Sequence, residues 1–384
     1  MLQQNPEPAT SRRLTDRLTL GEQKEVKRTA RRGRNVMSEI ALGMALITAA
    51  SGFNQDVRAN KELQATAVPT VETMFEALEP EHQSNALVFI HGFGTIDADS
   101  LAQHVGPAAQ QMVDGQVWSV GYNNAHLDER ATAHQIIDKA ESDGVEQVAI
   151  FGYSGGFIFS TKVGRIIADE SSLRIGSFTA IAAPDGLDTV REEHVSGVAL
   201  LKALEVFPDL AYSSPFRKLG ELAFRSHQYL SDGQVDLDAF WRTVERVNYV
   251  VDSNKLPGTW LMVDQLALIE NADIEADLQA INESSPLRLR PTVSYFGTAR
   301  PGYDAVVDDE RAALAICESA RKAEIDCYQF YVQGAVHNRV DIGGEAYQQA
   351  FTDARPVVAA SMARAMSDRH MAIARLQRGT IAGR

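Results

Sequence analysis

The chain has 384 residues, of which 45% are hydrophobic and 23% are charged, so it can bury one large core or two modest ones and is not a disordered protein. The formal net charge is −14: residues 1–39 hold nine Lys or Arg against five Asp or Glu, and the rest of the chain holds 28 against 46. This acidic remainder is expected to repel nucleic acid, so no nucleic-acid partner is predicted.

The N-terminal segment supports two interpretations. Residues 24–34 are basic, and residues 40–53, "IALGMALITAASGF", form an uncharged, mostly apolar run of 14 residues. This order resembles a signal peptide, although the run falls short of the roughly 20 residues that a membrane-spanning helix needs. The alternative is a basic tail followed by an ordinary amphipathic helix. Export or membrane-surface contact through this segment and a cytoplasmic location are therefore both left open.

Strand and helix patterns alternate after residue 84. "NALVFIHGFG" (85–94) predicts a buried strand that runs into a glycine loop, because its apolar residues show no helical period. Further strands are predicted over 116–124, 145–154 and 174–186, with helices over 100–114, 129–144 and 156–170, the first of them kinked or divided by Pro107. Parallel strands need crossover connections, which helices supply. The predicted fold class is α/β, a mostly parallel central sheet with helices on both faces.

The alternation stops at residue 187 and returns near residue 290. Residues 187–289 predict several helices, which we interpret as a helical cap or lid inserted into the core. A strand and its loop (290–309), a helix (310–325), a strand and its loop (326–340) and a final helix broken near Pro356 complete the predicted elements. The predicted organisation is a basic extension (1–60), a first core part (61–186), the inserted cap (187–289) and a second core part with a C-terminal helix (290–384).

The two cysteines, Cys317 and Cys327, lie ten positions apart, one in a helical pattern and one at the start of a strand pattern. We predict reduced core thiols at both positions. The nine histidines are scattered, and no HExxH or CxxC spacing occurs. We therefore expect no metal and no other cofactor.

Ser154 is the candidate nucleophile. "GYSGG" (152–156) matches the pattern G-x-S-x-G at the junction of a predicted strand and a predicted helix. Such a junction needs a tight turn, and glycine on both sides lets the helix leave the strand end closely. The competing interpretation is a turn serine with no chemical role.

A serine hydroxyl needs a base and a group that orients the base. His337 follows the last predicted strand, where a loop can place its imidazole over the carboxyl edge of the sheet. Asp304 follows the preceding strand and is the preferred acid, with Asp308 as the reserve. For the other acidic residues of this loop we expect a solvated start to the next helix, where carboxylates suit the helix dipole.

An oxyanion hole is predicted from two backbone N–H groups. "HGFG" (91–94) follows the predicted strand that begins at residue 85, and Gly155 begins the helix after the serine. We predict that Phe93 N–H and Gly155 N–H form the pair. His91 is expected to shape the loop, and no GxxxxGK[ST] or GxGxxG pattern favours a nucleotide site.

The order "HGFG", "GYSGG", an acid after the penultimate strand and a histidine after the last strand resembles the alpha/beta-hydrolase superfamily over residues 85–340. The resemblance implies a mostly parallel sheet and a triad of Ser154, Asp304 and His337. An activated serine beside an oxyanion hole implies acyl transfer.

Carboxylic esters, including lipid esters, are the favoured substrates, as for a carboxylesterase or lipase. Large apolar residues of the insertion can form an apolar pocket or pack the core of the cap itself: Phe207, Phe216, Trp241, Trp260, Leu261 and Met262. An amide, peptide or thioester hydrolase or an acyltransferase would use the same residues. A non-catalytic protein that binds a ligand or partner through the pocket is the third hypothesis.

Overall fold

The computed structural model describes residues 57–59, 61–62, 68–122, 126–191, 213–224, 229–231, 234–252, 259–284, 290–298, 304, 306–333, 337 and 344–382. Nearly all of the predicted basic extension (1–60) lies outside the described residues. None of the helices in the described part of the chain has the length and apolar character that a membrane crossing needs.

The strands of the described residues are β1 (Thr70–Phe75), β2 (Asn85–Ile90), β3 (Gln116–Gly121), β4 (Gln147–Tyr153), β5 (Arg174–Ile181), β6 (Leu230–Ser231), β7 (Gln234–Val235), β8 (Thr292–Thr298) and β9 (Cys327–Val332). The α-helices are α1 (Asp99–Ala109), α2 (Glu129–Asp143), α3 (Gly156–Glu170), α4 (Ser214–Phe224), α5 (Leu237–Asp252), α6 (Thr259–Glu270), α7 (Ile274–Ser284), α8 (Asp309–Lys322) and α9 (Gly344–Ala382).

Seven strands form the central sheet in the order β1-β3-β2-β4-β5-β8-β9. Strand β1 runs antiparallel to β3, and the other neighbouring pairs are parallel. The predicted mostly parallel sheet is confirmed, and the carboxyl ends of its parallel strands meet at one edge. Strand β1 was not predicted. Its sequence "TVETMF" alternates, but it lies in a polar region with no continuous apolar run.

Helices cover both faces of the sheet, as predicted. Alternate residues of β2 point to opposite faces: Val88 packs in one buried apolar cluster with residues of α2, α3, α7 and α8, whereas Phe89 packs in a second cluster with residues of α1 and α9. Both clusters reach the strands that end at the candidate site. The sheet is therefore held rigidly from two sides where it presents its loops.

Between β5 and β8, the described residues are mainly helical, with helices α4 to α7, as the sequence predicts. The structure adds the short antiparallel hairpin of β6 and β7, which was not predicted. Two-residue strands leave too little pattern to recognise in a sequence. The domain boundaries remain predictions.

Two prolines do not divide their helices as predicted. Pro107 lies in the last turn of α1, and α9 continues through Pro356. A proline inside a helix removes one hydrogen bond and crowds the preceding turn. In α9, burial of Phe351 and Val358 on either side of Pro356 against the sheet offsets that loss.

The prediction of two reduced thiols is wrong: Cys317 and Cys327 form a disulfide, with their Cα atoms 5.2 Å apart. Helix α8 carries Cys317, and the chain then reverses so that the first residue of β9, Cys327, returns beside it. A separation of ten residues does not show this approach, because it depends on how the helix packs against the sheet. The disulfide links α8 to the strand that leads to His337.

Candidate active site

Ser154 occupies the turn between β4 and α3, with its backbone in the left-handed region at φ 53°. Its N–H donates to the carbonyl of Ile181 at 2.8 Å, and the residue is only 8% exposed. A non-glycine residue in this conformation is strained, and the conformation persists only where the surrounding contacts hold it in place. The turn presents Ser154 at the carboxyl edge of the sheet.

Close backbone packing explains the glycines around Ser154. A Cβ on Gly152 would lie 2.2 Å from Cα of Phe157, and a Cβ on Gly156 would lie 2.5 Å from the carbonyl oxygen of Ile90. Real Cβ atoms do not approach backbone atoms so closely, so only glycine fits at either position. The start of α3 is thereby pressed against the ends of β2 and β4.

The structure brings Ser154, His337 and Asp304 into one hydrogen-bonded chain. Nε2 of His337 lies 3.1 Å from Oγ of Ser154, and Nδ1 lies 2.8 Å from Oδ2 of Asp304. His337 is 6% exposed and Asp304 is 1% exposed. These distances allow the imidazole to accept the serine proton while the carboxylate orients it.

The carboxylate of Asp304 is held on both oxygens. Its Oδ1 accepts hydrogen bonds from the N–H groups of Val306 at 2.8 Å and Val307 at 2.9 Å, while Oδ2 faces His337. Burial raises the pKa of Asp304, but the hydrogen bond and charge of His337 and the two backbone donors outweigh it, and the pKa is lowered. Asp304 is therefore ionised at neutral pH.

The reserve acid, Asp308, has a different place. It is the N-cap of α8, and its side chain accepts from the N–H of Arg311. Its neighbour Asp309 is buried, accepting from the Tyr295 hydroxyl at 2.8 Å and from the N–H of Thr298 at 2.8 Å. Asp304 is the acid that contacts His337.

The loop of residues 91–95, called the oxyanion loop below, lies against the serine turn. The ideal Cβ position of Gly155 is 3.9 Å from N of Phe93, and that of Gly92 is 2.7 Å from N of Gly155. Gly155 is also the N-cap of α3, where the helix dipole favours negative charge. The two predicted oxyanion donors, Phe93 and Gly155, are thus close together beside Ser154.

His91 begins the oxyanion loop and is neutral. Burial, and then the charge of His337, lower the pKa of His91 from 6.5 to about 4. Its Nδ1 accepts from the N–H of Gly92 at 2.8 Å, and its carbonyl accepts from the Tyr122 hydroxyl. These contacts hold His91 and Gly92 at the start of the loop, and the role of His91 in shaping the loop stays a prediction.

Tyr153 contacts both histidines of the site, a role that the sequence did not indicate. Its ring centroid lies 5.1 Å from that of His91 and 5.7 Å from that of His337. Its hydroxyl donates to the carbonyl of His337. The feature of the sequence that could have indicated this role is the position of Tyr153 directly before Ser154. At the end of a strand, the hydroxyl of a tyrosine can reach a neighbouring loop.

Gln265 of α6 was also missed. The residue is 3% exposed, and its amide hydrogen-bonds three backbone groups of the oxyanion loop, in Gly92, Gly94 and Thr95. In the sequence it stands in "WLMVDQLALI", where one glutamine suggests a solvent-facing position. The apolar residues three and four positions before and after it, Leu261, Met262, Leu268 and Ile269, were the available signal of burial.

An apolar wall adjoins the oxyanion loop. It consists of the buried side chains of Met262, Val263 and Leu266 packed with Phe93 and Leu187. Helix α6 therefore lines the site with side chains that would favour an apolar substrate group over a charged one.

The other residues predicted for an apolar pocket have other places. Leu261 is buried in the main core, and Trp241 is 61% exposed on α5. Phe207 and the side chains of Phe216 and Trp260 lie outside the described residues. Of the predicted set, Met262 lies in the apolar wall.

No three His, Cys, Asp or Glu side chains within the described ranges are grouped so that they could hold a metal ion. The chemistry that these residues support is that of a serine, an imidazole and a carboxylate.

Comparison with protein-family models finds no match, and comparison with curated proteins finds none either. Among solved structures, the chain is similar to a carboxylesterase from Nitrososphaera gargenis, with 15% identity, a TM-score of 0.46 and coverage of 76% of this chain and 95% of that chain. It is also similar to an esterase from Exiguobacterium antarcticum, with 10% identity, a TM-score of 0.44 and coverage of 74% and 94%. For a thermophilic esterase from Thermogutta terrifontis the identity is 13%, the TM-score 0.44 and the coverage 76% and 93%.

Proposed function

We propose that this chain, which has the alpha/beta-hydrolase fold, is a serine hydrolase that cleaves carboxylic esters through an acyl-enzyme on Ser154. The observation that carries the proposal is the continuous contact from Ser154 through His337 to Asp304, at 3.1 Å and 2.8 Å. The low exposure of all three residues supports it, because a water-poor site strengthens their electrostatic interactions.

Acylation follows from this geometry. Nε2 of His337 takes the proton of the Ser154 hydroxyl as Oγ attacks the ester carbonyl carbon. The resulting oxyanion accepts hydrogen bonds from the N–H groups of Phe93 and Gly155. The C–O bond to the leaving alcohol then breaks, and His337 gives its proton to that alcohol.

Deacylation repeats these steps with water. His337 takes a proton from a water molecule whose oxygen attacks the acyl carbon, and the same two donors stabilise the second oxyanion. The bond to Oγ breaks, Ser154 recovers its proton from His337, and the carboxylic acid leaves. Asp304 remains ionised throughout and stabilises the imidazolium.

The apolar wall supports an apolar group on the substrate. Met262 and Leu266 lie beside Phe93 of the oxyanion loop, where an acyl or alcohol group would extend from the reacting carbonyl. Burial of apolar surface contributes roughly 25 cal/mol per Å². We propose esters with an uncharged, apolar acyl or alcohol part as the substrate class.

The test is labelling of the full chain by a fluorophosphonate, followed by turnover of acyl esters of increasing chain length. We expect one labelled site and ester hydrolysis, both abolished in Ser154→Ala. The matched control is Ser171→Ala, at the far end of α3, which should label and turn over normally. A folded protein that never labels would instead indicate a non-catalytic binding protein.

The same assay separates the bond types. Esters, thioesters and aminoacyl substrates with the same acyl group should be compared under saturating conditions. Faster turnover of the thioester or amide, or transfer to an added alcohol in preference to water, would replace ester hydrolysis by one of the alternative reactions.

A further inference from the structure

We infer that Gln265 is a positioning residue that holds the oxyanion loop in its catalytic conformation, and that α6 is thereby a fixed part of the active site. This inference rests on the proposed serine-hydrolase function. It goes beyond that function because it assigns a role in catalysis to a helix between β5 and β8, away from Ser154, His337 and Asp304 in the chain.

The Gln265 side chain uses both ends of its amide on the loop. Its Oε1 accepts from the N–H of Gly94 at 2.9 Å. Its Nε2 donates to the carbonyl of Gly92 at 3.3 Å and to the carbonyl of Thr95 at 3.1 Å. The two carbonyls and the N–H flank Phe93, whose own N–H is a proposed oxyanion donor.

This set of contacts suits an amide and few other side chains. The loop presents one donor and two acceptors, and a glutamine offers one acceptor oxygen and an NH₂ with two donors. An apolar side chain would remove the Gln265 partner of the half-buried Gly94 N–H and Thr95 carbonyl, and would leave the Gly92 carbonyl with the Thr95 hydroxyl at 3.1 Å. A carboxylate would face two carbonyl oxygens without a proton to donate. Because Gln265 is only 3% exposed, water has little access to replace its hydrogen bonds to the loop.

The position of the loop matters more than its stability. Oxyanion donors act only when they lie within hydrogen-bond reach of the developing negative charge, and a displacement near 1 Å costs about 100-fold in rate. Gly94 has φ 85° and open space around its Cβ position, so the loop has no side-chain packing there to hold it. The Gln265 hydrogen bonds supply that restraint.

The neighbouring residue provides a matched control. Asp264 also ties α6 to the core, since its Oδ2 lies 2.8 Å from Nδ1 of His126 and accepts from the N–H of Leu127 at 3.1 Å. Those contacts are on the segment before α2 and do not reach the oxyanion loop. Asp264→Ala therefore loosens the same helix without removing the restraint on residues 92–95.

The experiment compares Gln265→Met with Asp264→Ala in the full chain, using a neutral apolar ester. In Gln265→Met we expect kcat to fall about 10- to 100-fold while KM changes less than about 3-fold. Affinity for a trifluoromethyl ketone, which forms a tetrahedral adduct with the serine, should fall by about the same factor as kcat/KM. Asp264→Ala should keep kcat within about 3-fold.

Gln265→Glu gives a second readout that also covers a failure of Gln265→Met to fold. The introduced carboxyl would be buried beside two carbonyl oxygens, which raises its pKa, and its protonated form can donate to one of them and accept from Gly94. The ratio of the kcat of Gln265→Glu to that of the wild-type protein should therefore rise as the pH falls from about 8 to about 6.

Three outcomes would overturn the inference: unchanged kcat in folded Gln265→Met, an equal loss in Asp264→Ala, or a ratio for Gln265→Glu that does not depend on pH. Failure of the proposed function is distinguishable, because the protein without substitutions would then fail to label and to hydrolyse the ester, or Ser154→Ala would hydrolyse it equally well. A protein that needs Ser154 but not Gln265 would retain the first proposal and lose the second.

Discussion

The Tyr153 hydroxyl donates a hydrogen bond to the backbone carbonyl of His337, and the two rings lie 5.7 Å apart. The residue before the proposed nucleophile thus holds the backbone of the proposed base. Ser154 follows Tyr153 directly, and His337 is hydrogen-bonded to Tyr153, so both residues are held at the end of β4, the central strand of the sheet. We propose that this link helps to set the distance between Ser154 and His337.

Tyr153→Phe should lower kcat about 10-fold and the free energy of unfolding by about 1 kcal/mol, because it deletes one buried hydrogen bond and leaves a carbonyl unpaired. Steady-state kinetics and urea unfolding measure the two effects. The control is Tyr229→Phe, which deletes a tyrosine hydrogen bond to the carbonyl of Leu222 away from the site. An equal loss of kcat in both variants would contradict the role of Tyr153.

Asp304→Asn should lower kcat about 10³- to 10⁴-fold, because an amide favours the wrong tautomer of His337 and no longer stabilises the imidazolium. Asp308→Asn should leave kcat nearly unchanged, since asparagine is an equally good N-cap for α8. Kinetics of both purified variants decide the acid. Full activity in Asp304→Asn would overturn the proposed triad.

Gly152→Ala should destabilise the protein by about 3 kcal/mol or more, because the new methyl group would meet backbone atoms of Phe157 at 2.2 Å and 2.6 Å. Gly220→Ala is the control, since its Cβ position in α4 is open and alanine favours a helix by about 1 kcal/mol. Denaturant unfolding compares the two. A stable, active Gly152→Ala would contradict the tight turn.

The lowered pKa of His91 predicts that the protein becomes less stable in mild acid. Because its pKa is lowered to about 4 in the folded protein, the unfolded chain binds more protons between about pH 6.5 and 4. The free energy of unfolding therefore falls as the pH falls through this window, by about 3 kcal/mol from His91 alone.

Urea unfolding of the unchanged protein and of His91→Asn at several pH values isolates this contribution. The difference between the two free energies should change across the window, because asparagine does not titrate there. Parallel curves would show that His91 is not buried in its neutral form.

Reduction of the disulfide between Cys317 and Cys327 should lower the free energy of unfolding by about 2 to 3 kcal/mol, as expected for a short closed loop. Thermal unfolding with and without a thiol reductant measures the change. The double variant Cys317→Ser/Cys327→Ser should be less stable and insensitive to the reductant. A free-thiol assay that finds two reactive cysteines in the unreduced protein would contradict the bond.

The order of Ser154, Asp304 and His337 along the chain predicts that they come together, for a physical reason. The carboxyl ends of parallel strands meet at one edge, so residues that follow different strands come together even when they are far apart in sequence. The buried strands themselves were recognisable because apolar runs such as "ALVFI" have no helical period. The α/β architecture followed from the alternation of such runs with helical patterns.

The features that escaped prediction depend on packing between elements. Whether Cys317 reaches Cys327 depends on the placement of α8 against β9, and whether Gln265 faces solvent or the oxyanion loop depends on where α6 docks. Neither is encoded in local periodicity. Pro356 was misjudged for the same reason, since burial of its helix against the sheet outweighs the local cost.

The hydrogen bonds from α6 to the oxyanion loop limit how this protein can be re-engineered. An obvious route to a broader substrate range is to delete the chain between β5 and β8 or to exchange it for the corresponding segment of another hydrolase. Such a chimera would lose Gln265 together with the apolar wall, and the loop would relax even though every core residue had been kept. An exchange that preserves activity would therefore keep residues 259–270 of this protein together with its core and replace only the rest of the segment between β5 and β8.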